Sequence, residues 1–227
     1  MRTRIIAFSA ALFFAPAAHA QPPVIAAVVI GSRGNLITGV DCPAGSALFA
    51  AAGANDLDTT VASLSDGTAN VYLLLQNTPA SGSYNSGIAY SLNLAHDVPI
   101  GSTISATETS GSNGAYVQGA VCVAGANSGL DKSASVVDTS SVSSFSLPTG
   151  TLSEANEIIF GEWVALGATA IASYTEASGF TAITTASAAV NIGFAYKIVT
   201  ATTSVPYNPS NFSPTQTLTA VVASFKY

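Results

Sequence analysis

Ala47-Leu48-Phe49-Ala50-Ala51-Ala52 and, further along the chain, Ala120-Val121-Cys122-Val123-Ala124 are apolar at every position. Runs of this kind fit central strands covered on both faces, or strands packed through small residues. Alanine is a weak strand former, so local propensity pulls against the pattern there. The surroundings settle the matter. No segment carries a long apolar stripe at 3.6-residue spacing. The commonest pattern is six to ten residues rich in Val, Ile, Thr, Ala or Tyr, bounded by Gly, Pro, Asn or Asp, which is how strands read.

Working outward, strands are expected at Val24–Ile30, Ala47–Ala52, Thr59–Leu64, Asn70–Gln76, Gly87–Leu94, Ser102–Glu108 and Ala115–Ala124. The second half adds Ser133–Asp138, Ser143–Leu147, Glu157–Leu166, Phe180–Thr185, Val190–Val199 and Thr215–Tyr227. Asp66-Gly67, Pro99-Ile100-Gly101, Pro148-Thr149-Gly150 and Ser178-Gly179 stand between them as turns, since Gly reaches positive φ and Pro fixes φ. Thr151, Ser153 and Glu154 resemble a helix start, so a helical turn is an alternative within Leu147–Glu157. Strands spaced about a dozen residues apart indicate an all-β sandwich or barrel. In a sandwich, Phe49, Val121, Phe194 and Val221 should meet in one interior.

Residues 1–20 read as a secretory leader. Met1-Arg2-Thr3-Arg4 is basic, Ile5 to Ala15 is apolar, and Ala18-His19-Ala20 is a small-x-small cleavage site. Its removal leaves 21–227 as one domain; two lobes would meet near the polar stretch 133–149. The 227-residue chain is 48% hydrophobic, enough for a sizeable core, and only 8% charged. After cleavage four basic residues remain, Arg33, Lys132, Lys197 and Lys226, against 12 acidic ones, a net charge of −8. That balance argues against nucleic acid, whose binding needs Lys and Arg at phosphates, and against an anionic membrane surface. Export makes a disulfide between the only two cysteines, Cys42 and Cys122, the expected state. The alternative is two separately buried small side chains.

Several segments then follow in a suggestive order. Gly45-Ser46-Ala47-Leu48-Phe49-Ala50-Ala51 fits a G-x-x-L-x-x-A strand. Thr60 to Asp66 is a strand entering an Asp-Gly turn. Pro99-Ile100-Gly101-Ser102-Thr103-Ile104-Ser105-Ala106-Thr107 fits P-x-G-(S/T)-T-(I/V)-x-(V/A)-T. Ser178-Gly179-Phe180-Thr181, Phe194 to Val199 and a closing strand Thr217 to Phe225 complete the order. Over most of 45–227 the chain resembles a group of uncharacterised bacterial and phage-associated β-sandwich proteins of jelly-roll, lectin-like type. The resemblance implies an antiparallel β-sandwich of jelly-roll topology. It brings no activity and no active-site residue with it.

The residues offer few chemical motifs. The mature chain's one histidine, His96, precedes a Pro turn and reads as a solvent-facing turn residue rather than a triad base. Gly125-Ala126-Asn127-Ser128-Gly129 lacks the spacing of a nucleophile elbow. Glu157 and Glu162, flanking Gly161 and beside Trp163, supply the two carboxylates of a glycoside hydrolase. They resemble the E-x-D-x-x-E strand of lectin-like glycosidases, with Ile159 in place of the middle carboxylate. Residues five apart face opposite sides of a regular strand, so that reading needs a bulge at Gly161. The plainer expectation is a core strand with Ile159 and Trp163 facing one way and Glu162 facing water.

Asp56 and Asp58 in Asn55-Asp56-Leu57-Asp58 are oxygen ligands suited to calcium, the one cofactor considered; an Asx turn accounts for them equally. Tyr84, Asn85, Tyr116, Tyr207 and Asn208 lie near turns and form the candidate platform for sugars, whereas Tyr72, Tyr90 and Tyr196 sit in apolar runs and read as core. The terminal Val221 to Tyr227 also resembles the last strand of a small outer-membrane β-barrel. Few edge lysines on long strands favour self-association. The expectation is a secreted, non-enzymatic structural or binding module, in the periplasm, on the cell surface or in an extracellular or virion assembly. A glycan or a second copy would be its partner; the hydrolase and the barrel are the alternatives.

Overall fold

A computed structural model gives the architecture. It describes residues 24–30, 36–38, 41–54, 59–77, 85–109, 114–124, 128–166, 171–184 and 191–227. The leader, Asp56, Asp58 and Tyr84 lie outside the described residues. The first half forms Val24–Ile30 (β1), Leu36–Ile37 (β2), Ala47–Ala54 (β3), Val61–Ser65 (β4), Leu73–Gln76 (β5), Gly87–Ser91 (β6), Thr103–Glu108 (β7) and Ala115–Ala124 (β8). The second half forms Gly129–Val142 (β9), Leu147–Pro148 (β10), Glu157–Leu166 (β11), Ser173–Thr175 (β12) and Thr181–Thr184 (β13). Asn191–Val199 (β14), Pro206–Tyr207 (β15), Ser210–Ser213 (β16) and Gln216–Lys226 (β17) follow. Among the described residues every element is a strand.

Two five-stranded antiparallel sheets dominate. One runs β1-β8-β3-β6-β5 and the other β13-β14-β11-β17-β9, so each half of the chain builds one sheet. Among the described strands no pairing closes either sheet on itself, and β17 lies between β11 and β9 rather than sealing a barrel. The sheets face each other across an apolar layer in which Phe49, Val121, Phe194 and Val221 do meet. Phe49 lies 4.4 Å from Phe160 and 4.7 Å from Phe225, ring centre to ring centre, and Tyr90 lies 4.9 Å from Phe225. These centroid distances suit aromatic pairing.

Each central sheet is also covered on its outer face. Leu48, Ala50, Ala89, Ala120 and Cys122 pack against Val61, Leu64 and Ile104, which belong to the small sheet β2-β7-β4. On the far side, Ile159, Trp163, Leu218, Ala220 and Val222 pack beneath Leu147, Val205, Tyr207 and Phe212, brought in by the pairs β10-β15 and β12-β16. Four layers result. Two-sided covering is why β3 is buried at all eight positions and β17 at nine of eleven, and why their sequences do not alternate. Aromatics crowd onto glycines in neighbouring strands: the ring of Tyr207 lies over Gly161, and the Trp163 indole nitrogen abuts Gly193.

The outer pieces depart from expectation. Residues 143–146 are not a strand, and the helix start at Thr151, Ser153 and Glu154 is not taken; the amide of Ser153 donates to Asp131 (2.7 Å). The strands β2, β12, β15 and β16 were not legible, because two to four residues are too few to show a period. Gly67 and Gly101 hold φ of 79° and 86°, the left-handed turn positions expected of them. The polar stretch 133–149 covers most of β9, and the change from one sheet to the other falls between Ala124 and Gly129.

Candidate functional site

Cys42 and Cys122 are joined, with Cα atoms 5.8 Å apart. The bond fastens the segment before β3 to the last third of β8 and is consistent with an oxidising compartment. Beside it lies a reciprocal clasp. Cys42 and Val98 exchange backbone hydrogen bonds of 2.9 and 2.8 Å. Asp41 Oδ1 accepts from the amide of Ile100 (2.6 Å), and Asp97 Oδ1 accepts from the amide of Ala44 (2.7 Å). The signal was in the sequence as a repeat, Asp41-Cys42-Pro43 and Asp97-Val98-Pro99, where each Asp caps the residue after the other's proline. Asp41, Pro43, Asp97 and Pro99 line an open cleft of about 330 Å³. His96, next to Asp97, is exposed, and its amide donates to Asn70 Oδ1 (2.9 Å).

The two glutamates of β11 do not form a pair. Residues 157–165 run in unbroken register with β14, and 157–166 with β17, so Gly161 makes no bulge. Alternation therefore sends Glu157 and Glu162 to opposite faces, and no single bond can lie between them. Glu162 does not face water either. It is fully buried between the two large sheets, opposite Phe194 and Val221. Burial pushes its carboxyl well above the ordinary range; a backbone group of Gly87 is near enough to oppose this but makes no formed hydrogen bond. Trp163 and Ile159 do share the other face.

Glu157 is buried on that other face, with its carboxyl raised by burial and by the neighbouring charge of Asp131. Asp131 moves the opposite way. Burial acts against it, but hydrogen bonds from Ser153 hold it down to about 2. Lys132 and Lys226 stand 3.8 and 3.6 Å from Asp131, and Lys226 lies 3.4 Å from Glu154. This ionic knot ties together the ends of β9, β11 and β17. A second knot holds the turn after β4: Asp66 accepts from Thr68 Oγ1 (2.6 Å), Asn70 Nδ2 (2.8 Å) and Tyr72 Oη (2.7 Å). Burial raises its carboxyl, and those hydrogen bonds outweigh burial, leaving it below the usual range.

The sugar platform is dispersed. Tyr116 is fully buried, and its hydroxyl donates to the carbonyl of Asn85 (3.3 Å). Asn85 is itself buried, bonded to the carbonyl oxygen of Asn77 (3.0 Å). Tyr207 is buried over Gly161, and its hydroxyl feels the charge of Glu176 without a formed hydrogen bond. Of the candidates, Asn208 is exposed. The turns near Tyr116 and Tyr207 misdirected the expectation; the glycines that make room for them, Gly53 on the neighbouring strand and Gly161 in the layer beneath, were the informative signal. Tyr90 is buried as expected, while Tyr72 and Tyr196 are half-buried. Among the described residues no three His, Cys, Asp or Glu side chains gather as metal ligands, and the Asp56–Asp58 loop lies outside them.

Among the described residues, one flank of the two large sheets carries an open cleft. The strands β5 and β9 each end their sheet there, and between them runs a cleft of about 140 Å³ lined by Leu75, Gln76, Ser133, Ala134, Ser135 and Val221. Leu73 at the start of β5 and Val71 just before it are 57% and 75% exposed, unusual for large apolar side chains. No family model, curated protein or solved structure matches the chain.

Proposed function

We propose that the chain acts after export as a structural module of a cell-surface, extracellular or virion assembly, without catalysis of its own, and that it binds further copies of itself. The observation that carries this reading is the open flank. Natural sheets blunt exposed edges with lysines, prolines or short strands. Here a 14-residue edge strand, β9, has one lysine and no proline, and across the cleft the other edge strand, β5, begins at exposed Leu73. The leader sequence and the Cys42–Cys122 bond support export.

The jelly-roll form is the finer version of the sandwich. Its support is the strand order β1-β8-β3-β6-β5, where the first strand lies beside the eighth; it must also accommodate one sheet per half-chain. The test of function is fractionation of the native host, with non-reducing electrophoresis and sedimentation. The expected protein is processed, disulfide-bonded, outside the cytoplasm and larger than a monomer. A reduced cytoplasmic protein, or a strictly monomeric exported one, overturns the reading.

A further inference from the structure

We propose that two copies of this chain join edge to edge through β9, antiparallel about a two-fold axis passing at Ser135, so that the β9-bearing sheets become one ten-stranded sheet. This rests on the assembly reading above and specifies its contact.

Among the described edges, β9 is the one that can carry a ladder. Against β17, strand β9 is irregular between residues 130 and 132 and again between 138 and 142, and regular over the seven residues from Lys132 to Asp138. The other edges are poorer. Strand β5 has four residues, β13 has four with a register shift, and β1 is broken between Ile25 and Ala27. The amide of Lys132 points toward β17, where it donates to Ser224 Oγ (3.2 Å). By the alternation of an antiparallel ladder, residues 133, 135 and 137 then turn their N–H and C=O groups outward. Ser133 and Ser135 are exposed.

The seven-residue run is self-complementary. It reads Lys132-Ser133-Ala134-Ser135-Val136-Val137-Asp138, with its single positive charge at one end, its single negative charge at the other, and Ser135 at the centre. Antiparallel pairing about Ser135 sets residue 132 of one copy opposite 138 of the other, and the reverse. Six residues is an even step, so both charged positions share one face of the strand. The opposite charges at positions 132 and 138 would favour this register, since both positions fall at non-hydrogen-bonded sites of the ladder. A slip of the register by one residue would shift both charges off their partners. The outward groups of residues 133, 135 and 137 would bond one another across the axis. Contacts built this way are isologous and close at two copies. Leu130, Val71 and Leu73, three of the large apolar side chains left exposed, lie on the strands flanking this edge or leading into them.

The experiment is sedimentation velocity on the processed, disulfide-bonded protein and its Lys132→Glu, Asp138→Lys and doubly reversed variants, across a wide concentration range. Dichroism checks each fold. The expected result is a concentration-dependent dimer for the parent chain and a dimer restored by the double reversal. Each single reversal should weaken it by about tenfold or more, because two pairs turn from attraction to repulsion. In parallel, Ser135→Cys should give a covalent dimer under mild oxidation, since directly opposed strand residues lie within disulfide reach. This variant carries the test if a charge variant misfolds. A parent chain that stays monomeric overturns both this contact and the assembly reading. Oligomers indifferent to both single reversals and to Ser135→Cys overturn the β9 contact and leave the assembly reading standing. A double reversal as weak as the singles overturns the register.

Discussion

Glu162 is a carboxyl sealed between two sheets, with both oxygens unbonded. Its raised titration has a definite consequence for stability. Below the unfolded value near 4.5 the carboxyl is neutral in both states and costs nothing. As pH rises the unfolded chain ionises first, so stability is lost between 4.5 and the raised folded value. Across that window the folded chain holds the carboxyl protonated while the unfolded chain has released its proton, at about 1.4 kcal/mol for each pH unit. Glu162→Gln should therefore gain stability over the parent as pH rises from 4 to 7 and be no more stable at pH 4, read by denaturant titration. Equal pH slopes for the two proteins would contradict the assignment. Asp131 and Asp66 act oppositely: their depressed carboxyls add stability above the unfolded value and lose it as pH falls through the lowered folded value, which for Asp131 is about 2. Gly161 makes a different residue-scale test. A methyl there would stand 2.5 Å from the Tyr207 ring, so Gly161→Ala should cost about 1–3 kcal/mol through overpacking. A stability unchanged from the parent would mean that the ring is not seated over that glycine.

At the scale of elements, β3 and β11 teach opposite lessons. An apolar run with no alternation is what a strand needs when both faces are covered, so β3 was legible from Ala47 to Ala52 and extends only to Ala54. Phe49 is its anchor, in contact with Phe160 and Phe225 of the opposite sheet. Phe49→Ala should cost about 3–5 kcal/mol by thermal or chemical denaturation, as large-to-small changes in a tight core do; a loss below about 1 kcal/mol would mean the two sheets are not packed there. In β11 the alternation correctly separated Glu157 from Glu162, but it could not say what lies over either face. Glu162 looked solvated because a carboxylate in a strand usually is. The tyrosines failed for the same reason: a residue near a turn signal is exposed only if no other layer lies above the turn. Tyr116 and Tyr207 both have one.

For the molecule as a whole, the Cys42–Cys122 bond closes a separation of 80 residues within the half that builds the first sheet. On loop-entropy grounds, replacing both cysteines with serine should lower stability by about 4 kcal/mol, measured against the oxidised parent. A loss within about 1 kcal/mol would place the fold's security entirely in its packed layers. Composition, the run-and-turn rhythm and the long apolar strands were legible in the sequence alone, because strand character and chain punctuation are local properties written residue by residue. Which half supplies which sheet, the small outer pair that seats Tyr207 on Gly161, the burial of Tyr116 against Val164 and Ile192, the isolation of Glu162 and the edge of β9 left without a neighbour among the described strands came only with tertiary structure. Burial depends on what the rest of the chain places on top of a residue, and pairing depends on which backbone edge is left without a neighbour; neither is a property that any stretch of sequence possesses by itself.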